Sequence, residues 1–226
     1  MTATLAGTEI CVFDAYGTLY DFNSAVARHA ASVGAKAASL SEMWRTKQIQ
    51  YTWLRNGMGA YAKFWQVTGE ALDHCLAAHD IADSALREKL MSAYLRLDAF
   101  AEVPATIAAL KKAGMRLAIL SNGNPEMLDP MVAASGLSIE AVLSVDAVGV
   151  FKPDPRVYQL VETRCGVTPD KVCFLSSNCW DAHGAAHFGF KTVWVNRAGA
   201  PDDGLPGKPV AQIRDLSLLP SLLGVS

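Results

Sequence analysis

The sequence predicts an α/β protein, a doubly wound parallel sheet that carries an inserted helical cap. Three observations lead there. Five short aliphatic runs recur through the 226 residues. Stretches of helical spacing separate the later runs from one another, and one long stretch after the first run holds helical patterns only. Strand and helix alternating in this way imply parallel strands covered on both faces. In open sheets of this kind ligands bind beyond the carboxyl ends of the strands. The chemistry is therefore expected where the aliphatic runs stop.

Taken in order, residues 9–13 (Glu-Ile-Cys-Val-Phe) read as a buried strand that ends at an acidic residue and a glycine turn. From 21 to 98 the pattern changes. Ser41–Leu54 is a helix candidate, and Leu86, Leu90, Ala93, Tyr94 and Leu97 follow helical spacing, with no strand expected between. Placed directly after the first strand, this segment reads as a cap over the sheet's active edge, able to exclude water and select a substrate. The expected division is 1–20 and 99–226 for the core and 21–98 for the cap. Residues 116–120, 141–145, 171–175 and 191–195 read as further strands, bounded by polar or turn-forming residues. Helices are expected at 104–113, 125–135, 155–165 and 181–188, the first three opening on a proline.

Bulk properties narrow the function. The chain is 51% hydrophobic and 19% charged, with 20 basic and 22 acidic residues for a net charge of −2. That profile belongs to a compact protein, and no basic cluster suggests a nucleic-acid or membrane surface. A small anionic substrate would need locally placed cations. No apolar run approaches the roughly 20 residues that span a bilayer, and Met1–Glu9 lacks the pattern of a signal peptide. Cys11, Cys75, Cys165, Cys173 and Cys179 form no Cys-x-x-Cys pair, so reduced thiols and a cytoplasmic location are expected. His183 and His187 are four residues apart, but no third ligand is evident, and they read as ordinary helix residues.

Four polar segments fall at strand ends. The first is Phe13-Asp14-Ala15-Tyr16-Gly17-Thr18-Leu19, where a carboxylate leaves a buried strand three residues before a glycine, a suitable setting for a nucleophile at a tight turn. The others are Ser121-Asn122-Gly123-Asn124, then Phe151-Lys152-Pro153-Asp154-Pro155, then Ser176-Ser177-Asn178-Cys179-Trp180-Asp181. Singly, each also reads as a turn or a solvated surface segment.

In this order, over about residues 10–197, the four segments resemble the motifs of the haloacid dehalogenase superfamily, whose core is Rossmann-like. Most members are magnesium-dependent phosphatases with Asp-x-Asp in the first motif and Gly-Asp-x-x-x-Asp in the fourth. Here Tyr16 stands for the second Asp, and Ser176-Ser177 for Gly-Asp. Magnesium needs several hard oxygen ligands, so these departures argue against phosphoryl transfer, which stays as the alternative. The substituted residues, together with Trp44-Arg45-Thr-Lys-Gln48 in the cap, are similar to the L-2-haloacid dehalogenases.

That resemblance implies hydrolysis of small L-2-haloacids to 2-hydroxyacids and halide, without metal or cofactor, by a homodimer. It implies Asp14 as a nucleophile that forms an ester, with Lys152 holding it ionised. Asp181 would position or deprotonate the hydrolytic water. Ser121 would hold the substrate carboxylate, while Arg45 and Asn122 cradle the departing halide. Thr18, Tyr158, Ser176 and Asn178 would be supporting hydrogen-bond partners. Tyr16, Ile49, Phe64 and Trp180 would form apolar walls.

Overall fold

The structure, a computed structural model, describes residues 5–225. The first strand, β1 (Ile10–Phe13), is fully buried along its length, as a strand must be when helices cover both sheet faces. The chain then makes β2 (Tyr20–Asp21) and enters a helical stretch: α1 (Ser24–Ala27), α2 (Ala30–Val33), α3 (Ala37–Met58), α4 (Phe64–Ala78) and α5 (Ser84–Tyr94). It leaves through β3 (Asp98–Ala99). From there strand and helix alternate: α6 (Val103–Lys112), β4 (Arg116–Ser121), α7 (Pro125–Ser135), β5 (Ala141–Ser144), α8 (Pro155–Cys165), β6 (Val172–Ser176), α9 (Cys179–Phe188) and β7 (Lys191–Val195). A last strand, β8 (Ala211–Ile213), and a short helix, α10 (Leu219–Leu223), complete the described chain.

The six-stranded sheet runs β5-β4-β1-β6-β7-β8 with every neighbouring pair parallel. β1 lies between β4 and β6, with Phe13 opposite Ile119 on one side and Leu175 on the other. This register brings Asp14, Ser121 and Ser176 to one edge of the sheet. The order reverses across β1, placing the residues that follow it in a crevice between two diverging connections.

The helical stretch holds together through its own apolar seam. Leu40, Trp44, Phe64, Leu72 and Leu90 are buried there, each contributing roughly 1.5–3 kcal/mol relative to exposure. The Trp44 indole N–H donates to the carbonyl of Thr68 at 2.8 Å. Asp83 caps α5 by accepting from the Leu86 N–H at 2.9 Å. Leu97, grouped with this helix by its spacing, lies past its end yet is buried.

The expectation of no strand between 21 and 98 gives way at both ends. Tyr20 pairs with Ala99 and Asp21 with Asp98 in an antiparallel ribbon. Two residues carry no legible period, and the ribbon exists because backbone groups at the way in and the way out must find partners. Ser24 fastens it, donating to the Asp21 carbonyl at 2.7 Å and accepting from the Asp98 N–H at 3.1 Å. β8 also carries no aliphatic run, and it was not expected. Elsewhere the boundaries shift by one or two residues: Val145 and Lys171 belong to 3₁₀ turns, and α9 begins at Cys179.

Candidate active site

Phe13 is the last residue of β1, so Asp14 emerges at the sheet edge, and its N–H donates to the Leu175 carbonyl at 2.9 Å. The turn that follows needs Gly17, which has φ +85 and whose Cβ, were one present, would stand 2.9 Å from the Ser177 hydroxyl. The Asp14 carboxylate, 5% exposed, is gripped from three sides. Lys152 Nζ reaches Oδ1 at 3.1 Å, while Asn178 Nδ2 at 2.8 Å and the Thr18 hydroxyl at 3.3 Å reach Oδ2. Thr18 is itself oriented by the Ser177 N–H, which donates to it at 2.8 Å.

Lys152 also donates to Asp181 Oδ2 at 2.9 Å, so one buried ammonium is shared by two buried carboxylates. Burial alone would push its pKa down, but Asp14 and Asp181 outweigh it and raise the pKa. Asp181 is fully buried, and that burial raises its carboxyl above the ordinary aspartate value despite the ammonium beside it. The Tyr158 hydroxyl donates to its other oxygen at 2.8 Å.

The remaining expected residues gather around this centre to different degrees. Asn122 accepts from the Lys152 backbone N–H at 3.0 Å, which fixes the lysine's entry. Ser176 accepts from the Asn178 N–H at 3.2 Å, and Ser121 from the Gly123 N–H at 3.1 Å, each shaping its own turn. Arg45 arrives from α3 and donates to the Tyr16 carbonyl at 3.3 Å and to Asn178 Oδ1 at 3.2 Å. Tyr16 is buried against Phe64 and Tyr94, with ring centroids 5.6 and 5.5 Å away. Its hydroxyl has no hydrogen-bond partner among the described residues. Ile49 is buried on α3, where its carbonyl accepts from the Thr52 hydroxyl at 2.7 Å. Trp180 stands edge-on to Trp53 at 5.3 Å and lines a cavity with Pro153 and Leu205.

Several participants escaped the sequence reading. Gln48 accepts from Arg45 at 2.8 Å and from the Tyr94 hydroxyl at 3.0 Å, and donates to Thr68 at 2.7 Å, which holds the arginine in place. Arg197 donates to the carbonyls of Gly17 and Thr18, the latter at 2.8 Å, pairs with Glu102 at 2.6 Å and lies 3.7 Å over the Phe100 ring. Gln48 lies inside a segment already singled out for Arg45; Arg197 has no local signal. A cleft of about 530 Å³ opens beside the cluster, lined in part by Gly17, Phe22, Arg45, Asn178 and Arg197. Its two arginines suit an anion, although Asp21 and Asp203 line it too.

Chemically, the arrangement offers an aspartate oxygen at the end of β1, a second carboxylate beside a shared ammonium, and a guanidinium overhead. The cation between the two carboxylates is the protein's own lysine. Residues 8–189 match the haloacid dehalogenase-like hydrolase family. The chain is 50% identical over 196 residues to (S)-2-haloacid dehalogenase 4A of Burkholderia cepacia, covering 85% of each chain. It is 47% identical over 216 residues to (S)-2-haloacid dehalogenase 1 of Pseudomonas sp. (strain CBS-3), covering 94% of this chain and 95% of that one. Its fold matches the structure of L-2-haloacid dehalogenase from Xanthobacter autotrophicus with chloropropionic acid covalently bound. That match has a TM-score of 0.89 at 37% identity, over 96% of this chain and 98% of the other. The sheet order, the polar strand ends and these likenesses agree: the chain belongs to the haloacid dehalogenase-like hydrolase family, among the relatives of the (S)-2-haloacid dehalogenases.

Proposed function

We propose that this protein hydrolyses small L-2-haloacids to 2-hydroxyacids and halide through an ester on Asp14. The observation that carries the reading is the Asp14 carboxylate gripped by Lys152, Asn178 and Thr18, with Tyr16 in the position where phosphatases of the family place an acid. Asp14 attacks Cα opposite the carbon–halogen bond and halide leaves. Water then attacks the ester carbonyl, splitting one hard hydrolysis into two easier steps. Asp181, next to Lys152, serves the hydrolytic water. Ser121 and nearby backbone N–H groups receive the substrate carboxylate, Arg45 and Asn122 receive the halide, and Tyr16, Ile49, Phe64 and Trp180 bound the alkyl part. Residues 21–98 act as the cap of a core made from 1–20 and 99–226.

Magnesium-dependent phosphoryl transfer finds no support in the relatives, and Tyr16 and Ser177 supply neither the acid nor the carboxylate ligand it needs. Chloride release from L- and D-2-chloropropionate, with EDTA or with magnesium, tests the proposal. Release from the L form unaffected by EDTA, and abolished in Asp14→Asn, is expected. Magnesium-dependent phosphatase activity without chloride release would overturn it.

No helix among the described residues is long and apolar enough to cross a membrane. A cytoplasmic homodimer is part of the proposal, supported by five unpaired cysteines and by the exposed Trp53, Leu54 and Met58 on α3. Light scattering on the eluting protein should give twice the chain mass of 24.2 kDa.

A further inference from the structure

α9 carries a second cluster of chemically able side chains. Cys179 and His183, four residues apart, share a helix face, and Asp202 reaches them from the loop after β7. One ligand atom of each lies within 4.8 Å of the other two. His183 is 1% exposed; its Nε2 meets Asp202 Oδ1 at 3.0 Å, and its Nδ1 is buried without a hydrogen-bond partner among the described residues. The loop is laid over the helix by the Asp203 N–H, which donates to the Cys179 sulfur at 3.5 Å. The Gly204 N–H donates to Asp202 at 2.6 Å, and its bond is the foremost cause of the lowered Asp202 pKa.

The geometry points to a binding site for a divalent cation of the zinc class, held by the Cys179 thiolate, a ring nitrogen of His183 and a carboxylate oxygen of Asp202. A thiolate and an imidazole select a borderline-soft metal over magnesium or calcium. Zinc holds such ligands at about 2.0–2.3 Å from the metal; the His183 and Asp202 atoms stand 3.0 Å apart, and all three ligand atoms lie within 4.8 Å of one another. Asp202, with a side chain 55% exposed, has room to adjust around an ion. Binding exchanges the Cys179 thiol proton for the metal, and the proton leaves to solvent without electron transfer. His183 thus has its partners one turn earlier on α9 and in a distant loop, rather than at His187. A bound metal would staple that loop to the first turn of α9, the turn that carries Trp180 and Asp181. The site adjoins the cleft beside Asp14, which Cys179 also lines, but it is separate from the proposed chemistry, and its test reads metal rather than turnover.

The reduced, chelator-treated full chain is titrated with cobalt(II) and followed by absorbance, with zinc(II) as competitor. We expect one cobalt per chain with a thiolate-to-cobalt charge-transfer band that zinc abolishes. Cys179→Ser should lose the band, Asp202→Asn, an exposed and conservative change, should weaken cobalt binding by at least about tenfold, and His187→Ala should leave it unchanged. A band that survives in Cys179→Ser, or no band in the wild-type chain at large cobalt excess, would overturn the site.

Discussion

Asp181 sits where burial and charge disagree, and its behaviour can be read from that conflict. Burial lifts its pKa, Lys152 pulls it down, and the Tyr158 hydroxyl pulls it down further. If Asp181 must be ionised to serve the water, the acid limb of activity lies above the ordinary aspartate value, because a raised pKa means that protonation begins at higher pH. Tyr158→Phe removes a hydrogen bond that favours the charged form. The limb in kcat/KM against pH should therefore move further up, and a limb that stays put would show that Asp181 is not the group titrating. The alkaline side should stay flat well past neutrality, since the Lys152 pKa is raised. At this scale the sequence was informative wherever a residue follows a strand. Asp14, Lys152, Asn178 and Asp181 were all singled out, and all meet within hydrogen-bond distance. Gln48, Tyr94 and Arg197 were not, because the contacts that tie them to the site, apart from the Gln48–Arg45 bond within α3, arise only when segments far apart in the chain dock.

Among the elements, the turn after β4 shows how closely the pieces are fitted. A Cβ on Gly123 would stand 2.8 Å from the Tyr16 hydroxyl and 3.0 Å from Leu128 Cδ2. Gly123→Ala should therefore displace Tyr16 and cost about 1–3 kcal/mol in denaturant unfolding, with a larger loss of kcat/KM than Ser144→Ala on the same strand cluster. The Asn-Gly dipeptide was readable as a turn, but its tightness was not, because that depends on an aromatic ring from another strand's end. The same contrast holds for the strands. Aliphatic runs announce β1, β4, β5, β6 and β7, whereas the β2–β3 ribbon and β8 are fixed by backbone pairing and leave no trace in side-chain pattern.

For the molecule as a whole, the junction between the helical stretch and the sheet is polar and specific. Asn56 donates to the Phe151 carbonyl at 2.7 Å and accepts from its N–H at 2.9 Å, one residue before Lys152. The Trp65 N–H donates to Asn124 at 2.7 Å, and Tyr61 bonds Asp146. Asn56→Ala strands both Phe151 groups, at about 1–3 kcal/mol, or roughly 2–4 °C of Tm per kcal/mol for a chain of this size. Differential scanning calorimetry reads that drop, and KM should rise with it if this junction holds the helical stretch against the site. The architecture was legible because alternation is a global pattern; the junction was not, because each of its bonds joins residues from different elements. The shared ammonium at the centre sets an order of events. While Asp14 is charged, its repulsion is one of the causes that raise the Asp181 pKa. Once Asp14 is esterified that repulsion is gone and Lys152 has a single anion to serve. In the proposed mechanism the Asp181 carboxylate is then more strongly favoured at the step in which water attacks, so the first step prepares the second.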